Sequence, residues 1–205
     1  MKIKLTKNEL KKQKDALKSF TRYLPTLMLK KQQLQLEIVK IQNAREELEK
    51  QIIDLEKNIF QWVDVFNEDA GLKDILTVKK IETDIGNIAG IDIPVFKGIT
   101  FQEKEYDLFL TPLWLDYGLE AVKDKVRLKT QFDILDEQLR LVKEELRITT
   151  QRVNLFEKVK IPEAKENIRR IRIFLGDMQT AAVVTGKIAK TKIERKLKLQ
   201  AAYDS

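Results

Sequence analysis

Apolar residues recur along the first third of the chain in alternating steps of three and four. One set runs Leu17, Leu24, Lys31, Ile38, Arg45, Ile52, Ile59, Phe66, and a second runs Phe20, Leu27, Leu34, Ile41, Leu48, Leu55, Trp62. Only Lys31 and Arg45 interrupt the pattern. A stripe that repeats every 3.5 residues on average stays on one side of a slightly underwound helix, which predicts a coiled-coil strand. Thr6, with Glu9 three residues on, predicts the N-cap. Gly71 predicts the end, and Pro25 predicts a bend within the helix. Lys31 and Arg45 are open to two readings: they set register or face a neighbouring protein, or their long stems snorkel to water.

The pattern changes between Asp84 and Gly118, where Gly86, Gly90, Gly98, Gly118, Pro94 and Pro112 fall. Alternation of Ile91, Ile93 and Val95, then Ile99 and Phe101, predicts a short β-hairpin turning near Lys97–Gly98. Pro94 cannot donate to a ladder, so its strand is predicted to be an edge. The segment Gly90 to Phe101 stands apart from both helical stripes in sequence, which predicts an insert that folding does not require. Thr111 followed by Pro112 predicts the start of a new helix.

That second helix carries Phe132, Leu135, Leu139, Val142, Leu146, Thr149, Val153 and Phe156 in the same steps. The next position should be Lys160. The series resumes instead at Ile161 and continues through Ala164, Ile168, Ile171, Leu175, Met178 and Ala182. The stripe slips by one residue beside Pro162, which predicts a shaft that bends or locally unwinds there. Two long helices around a compact middle predict an all-α fold. Its form is a long antiparallel two-helix coiled-coil hairpin with a small central β-hairpin insert. The organisation reads as an N-terminal helix over 1–75 and a central segment over 76–118 with its β-hairpin near 90–101. A C-terminal helix with a basic tail follows over 119–205.

Charge adds polarity to this picture. Met1 to Lys31 carry ten Lys/Arg against Glu9 and Asp15, a balance of +8. Lys187 to Leu199 carry six against Glu194, a balance of +5, so that against a whole-chain charge of +7 the remainder is −6. An antiparallel pair brings both basic ends to one tip. Trp114 and Tyr117, beside Pro112 at a helix start, and Lys187, Lys190, Lys192 and Arg195 in the tail are the candidate partner contacts.

Composition narrows the chemistry. There is no cysteine and no histidine, which removes thiolate chemistry, the most frequent general base and the commonest metal ligands. Gly186-Lys187 lacks the upstream glycine and the following Ser/Thr of a phosphate loop. Asp64 to Asp74 lacks the alternating ligands of a calcium loop. No catalytic residue, cofactor or metal site is predicted. No apolar run approaches the roughly 18 residues of a membrane span, and the basic N-terminus lacks the apolar core of a signal peptide. The expected setting is therefore the cytoplasm.

Three stretches resemble a known family: NIAGIDIPVF (Asn87–Phe96), TPLWLDYGLEAV (Thr111–Val122) and, most specifically, RVNLFEKVKIPEAKENIRRIRIFL (Arg152–Leu175). Together with the layout of LTKNELKKQKDALKSFTRYLPTLMLKKQQL they are similar to the D subunits of the V-type (A/V-type) ATPases. The likeness covers nearly the whole chain and departs at the extreme N-terminus and the short C-terminal tail. It implies a central-stalk rotor shaft without catalytic residues, peripheral to the membrane. The implied partners are the F subunit, the catalytic hexamer of A and B subunits, and the C (or d) subunit on the membrane side of the rotor. It also implies coupling of ATP hydrolysis or synthesis to H⁺ or Na⁺ transport, without direct nucleotide binding or membrane insertion. Two other readings of the residues stand beside it: a free-standing coiled-coil scaffold or tether, and a basic helical protein that binds nucleic acid.

Overall fold

The computed structural model describes residues 3–60, 75–106, 112 and 114–203. Helix α1 spans Lys7–Phe60, strands β1 and β2 span Leu76–Ile88 and Ile91–Glu103, and helix α2 spans Leu115–Asn154. A π-helical stretch, Leu155–Lys160, leads into helix α3, Ile161–Tyr203. Two compact units result: Met1–Met28 with Gln151–Ser205, and Leu29–Thr150. Helices α1 and α2 each contribute to both. The all-α fold with a small antiparallel insert is observed.

Helix α1 begins as its cap dictates. The Glu9 N–H donates to Thr6 Oγ1 at 3.3 Å, and the Leu10 N–H to the Thr6 carbonyl at 3.0 Å. The helix continues through Pro25, which is exposed. Gly71, the expected helix end, and Trp62 and Phe66 lie outside the described residues.

In the unit of residues 29–150, three ion pairs set the direction of pairing. Lys30 meets Glu145 at 2.7 Å, Arg45 meets Asp136 at 3.2 Å, and Glu56 meets Lys125 at 3.0 Å. Numbers rise on α1 as they fall on α2, so the helices are antiparallel. Between them Leu34, Ile38, Ile41, Leu139 and Val142 are buried in one cluster, bordered by Leu135 and Leu146. Leu48, Ile52, Leu55 and Ile59 are half-buried.

The sheet corrects the sequence reading. The hairpin runs from Leu76 to Glu103 and turns at Ala89–Gly90, not near Lys97–Gly98. Ala89 and Gly90 have φ of +52° and +82°, the left-handed pair that a two-residue hairpin turn of matching twist requires. Asn87 Oδ1 accepts from the Gly90 N–H at 3.0 Å and closes the turn. Lys97–Gly98 lies instead at a bulge, where pairing passes from Glu82↔Gly98 to Thr83↔Phe96. Strand β1 was not predicted because a second irregularity, between Val78 and Lys80, shifts its alternation from even to odd positions. A Cβ at Gly86 would sit 2.8 Å from Val95 Cγ2, so any larger residue there would displace the Val95 side chain. Pro94 is on an edge, as any strand of a two-stranded sheet is, and Gln138 Nε2 donates to its carbonyl.

Nor does the hairpin stand apart from the helical stripes. Ile93 belongs to the Leu34–Ile38–Leu139–Val142 cluster, with Ile88, Ala89 and Ile91 packed around it. The tip therefore supplies a side of the core that two helices alone leave open. The helix after the hairpin also begins later than predicted, at Leu115, whose N–H donates to the Pro112 carbonyl at 3.0 Å. Thr111 lies outside the described residues.

In the unit of residues 1–28 with 151–205, Phe20 and Phe156 rings lie 5.1 Å apart and Asn167 Nδ2 lies 3.5 Å from Gln13 Oε1. This pairing is antiparallel too. Val153, Ala164, Ile168 and Ile171 are buried, with Leu17, Phe20, Leu24, Leu27 and Phe156 half-buried. Of the positions an unslipped stripe would bury, Glu163 and Arg170 are exposed and Asn167 is buried.

Ile93→Ala is expected to lower unfolding free energy by about 2–4 kcal/mol, the transfer and cavity cost of a buried isoleucine. Ile85→Ala, at a residue 78% exposed, is expected to change it by less than about 0.5 kcal/mol. Denaturant titration of the two variants checks this contrast. Equal, small effects would restore the insert as dispensable for folding.

Candidate functional site

The C-terminal half of α3 differs from every other long helical segment described. Each residue from Gly176 to Lys198 is exposed. Ile3 and Leu5, just before α1, share a cleft with Asn167, Ile173 and Phe174, so pairing runs out near that level. Met178 and Ala182, placed on the stripe by sequence, are uncovered. Large apolar side chains remain in water beyond it: Met178, Val183, Val184, Ile188, Ile193 and Leu197.

Lys187, Lys190, Lys192 and Arg195 occupy this same segment, with Lys196 and Lys198. Both basic ends lie in the same unit, and the tail continues past the start of α1. From Phe174 to Lys187 is 13 residues, which is about 20 Å of helix at about 1.5 Å per residue. Between Lys187 and Leu199 only Glu194 offsets the charge, 4.0 Å from Lys190. The segment is thus a basic helix with apolar side chains all along it. Such a surface suits an enclosing partner with apolar contacts and negative potential.

Trp114 and Tyr117 lie in the other unit, where α2 begins. Trp114 is half-buried and Tyr117 is 69% exposed. Nearby, Tyr106 donates its hydroxyl to Asp116 Oδ1 at 2.6 Å, which raises the phenol's pKa. Lys123 bridges Glu103 at 2.8 Å and Glu120 at 2.7 Å, tying the end of β2 to α2; both hydrogen bonds raise its pKa. Sequence reasoning passed over Lys123, Tyr106 and Asp116, since nothing in spacing joins a strand end to a helix start.

Of the two charged stripe positions, Lys31 is half-buried. Arg45 has a defined partner set: its guanidinium lies 4.7 Å from the Phe132 ring centroid. Its Nε is buried 3.2 Å from Asp136 Oδ1 without hydrogen-bond geometry. Lys129 Nζ also approaches the Phe132 ring, at 4.9 Å. The stack on Phe132 and the approach to Asp136 tie Arg45 to α2 within this chain.

Pro162 is exposed, and the π-helical stretch immediately precedes it. The predicted break is therefore a widened turn within continuous helix. The Ile161 N–H donates to the Phe156 carbonyl five residues back.

One carboxylate in this unit is strongly perturbed. Arg169 donates to Glu166 through Nε and Nη2, both at 2.8 Å, and Arg170 through Nε at 2.9 Å. The Arg169 hydrogen bonds first, then Arg170's, hold Glu166 at about 2, below its ordinary 4.5. A lowered folded-state pKa stabilises the fold above 4.5 and ceases to do so as pH falls through about 2. Glu166→Gln is accordingly expected to melt lower than the parent near neutral pH, the gap closing as the pH approaches 2. The group is solvent-exposed, so added salt should narrow the gap as well. Melting curves across pH and ionic strength check both trends.

Among the described residues no helix is long and apolar enough to cross a membrane. Residues 9–191 match the family model for the ATP synthase D subunit. The chain is 52% identical over 197 residues to the V-type ATP synthase D subunit of Borreliella burgdorferi, covering 95% of this chain and 96% of that protein. It is 36% identical over 196 residues to the V-type ATP synthase D subunit of Chlamydia pneumoniae, covering 94% and 93%. To the protein of the same name from Chlamydia caviae it is 36% identical over 207 residues, covering 95% of each. With matches of this extent, the chain belongs to the ATP synthase D subunit family, as the D subunits of V-type ATP synthases do.

Proposed function

We propose that this chain is the central rotor shaft of its ATP synthase complex. In this reading the exposed basic half of α3 enters the hexamer of catalytic A and non-catalytic B subunits. The rest of the molecule engages the F subunit and, on the membrane side of the rotor, the C (or d) subunit. The shaft carries torque between ATP turnover and H⁺ or Na⁺ movement and makes or breaks no bond itself. It works in the cytoplasm, peripheral to the membrane.

The observation that supports this most is the uncovered segment from Gly176 to Lys198. A helix this long, with six apolar side chains in water, gains by being surrounded. Its positive charge steers it toward an acidic cavity over distances where apolar contact does nothing. Elsewhere the helices interdigitate, and seated side chains resist the sliding that would dissipate torque. The candidate contacts Trp114 and Tyr117 belong, in this reading, to the partner-facing side of the central segment.

Co-purification from native membranes with mass spectrometry tests membership, with the A, B and F subunits expected alongside the chain. Crosslinks from Lys187, Lys190, Lys192 or Lys198 are expected to reach A or B. Crosslinks from that segment only to membrane-side subunits would reverse the assigned orientation. The isolated chain is expected to hydrolyse no ATP, as nothing in its sequence forms a phosphate cradle or positions an attacking water. Turnover that persists in protein freed of contaminating ATPases would refute the non-catalytic assignment.

A further inference from the structure

The π-helical stretch and the slipped stripe coincide residue for residue. Before the slip, Val153 and Phe156 follow the three-four pattern. After it, Ile161, Ala164, Ile168 and Ile171 follow it again. The two runs are joined by one step of five residues, from Phe156 to Ile161. The same two residues are joined by the backbone: the Ile161 N–H donates to the Phe156 carbonyl. An i→i+5 turn absorbs one residue beyond an α-turn, so it places Ile161 above Phe156 on the same side of the helix. Both are half-buried, and Phe156 packs on Phe20 at 5.1 Å.

We propose that the π turn is a phase lock. The five-residue step in the stripe demands it, Pro162 fixes its position, and together they determine which side of α3 faces α1. Pro162 has no N–H, so it cannot serve the Glu157 carbonyl in the π ladder or the Lys158 carbonyl in the α ladder. The Ile161 N–H, which would serve Glu157 in the α ladder, is engaged by Phe156. Glu157 and Lys158 lie on the outer side of the helix beside Pro162, where water can solvate this break in the ladder. Moving the extra residue elsewhere would place both the proline clash and the misfit inside regular helix.

Without the extra residue's turn, everything after it would rotate by about 100°, one residue's share of a 3.6-residue turn. Ala164, Ile168 and Ile171 would leave the seam, Glu163 and Arg170 would approach it, and the faces of the exposed segment 176–198 would be re-aimed. Pro162 alone is therefore not the cause. Replacing it should free the π turn to shift along this stretch but not remove it, because the stripe still requires it. This inference concerns the helix itself and stands apart from the rotor reading.

The chain contains no cysteine, so single reporter thiols can be introduced cleanly. Ile171→Cys and Arg170→Cys, introduced one at a time at a fully buried and an exposed position, would be probed with a maleimide in the full-length protein. With Pro162→Ala the thiol at position 171 should stay protected and that at position 170 reactive. Deletion of Lys158 in the Pro162→Ala background turns the five-residue step into four; the pattern should again be retained, with a melting temperature above that of Pro162→Ala alone. An alanine inserted after Lys158 should invert the pattern and lower the melting temperature. An inverted pattern with Pro162→Ala alone would overturn the proposal. So would a structure of that variant with no π turn between Val153 and Ala164, or a deletion variant as damaged as the insertion.

Discussion

Two periodicities must be satisfied at once along these helices, and their reconciliation underlies the structure. The backbone ladder wants each N–H to reach the carbonyl four residues back. The apolar stripe wants a side chain facing its partner every three or four. Where the stripe steps regularly, as through Leu34, Ile38 and Ile41, both are met by ordinary helix. Where it steps by five, between Phe156 and Ile161, the ladder yields first. The cost of a widened turn at an exposed site is smaller than that of turning Ala164, Ile168 and Ile171 out of contact. Burial of a full aliphatic side chain is worth about 1.5–3 kcal/mol, and several are at stake.

Charged residues contribute direction more than strength. Most ion pairs here join residues three or four apart on one helix, such as Arg140 with Glu137 and Arg147 with Glu144. Such exposed pairs are screened by water and salt and add little individually. The pairs that cross between helices, Lys30–Glu145, Arg45–Asp136 and Glu56–Lys125, matter differently, since sliding either helix would break them together. Buried polar contacts act in the same sense. Asn167 against Gln13, and Gln138 against the Pro94 carbonyl, each have a partner in one alignment. A misaligned pair would leave them buried and unsatisfied, at about 1–3 kcal/mol each.

The hairpin changes what the helix pair can be. Two helices bury a stripe on one side only, so a third element is needed to enclose Leu34, Ile38 and Val142 fully. Ile93 supplies it, carried by a two-residue turn and a strand whose outward carbonyl at Pro94 is taken up by Gln138. From Met178 to Lys198 no third element, and not even a second, covers α3 among the described residues. One chain thus carries both a closed core and an uncovered basic helix.

The helices, their antiparallel pairing and the family were legible from sequence, because a period sustained over many turns is a local and redundant signal. The five-residue step was visible too, as a one-residue slip. Sequence could not say whether the helix would bend, unwind or widen there, since that depends on which is cheaper against the facing residues. Strand β1 and the true turn were hidden for a related reason. A bulge erased the alternation, and Ala89 takes a left-handed conformation that its identity does not advertise. The role of Ile93 and the stack of Arg45 on Phe132 were likewise decided by tertiary contact. They join residues far apart in the chain, whose meeting no local pattern encodes.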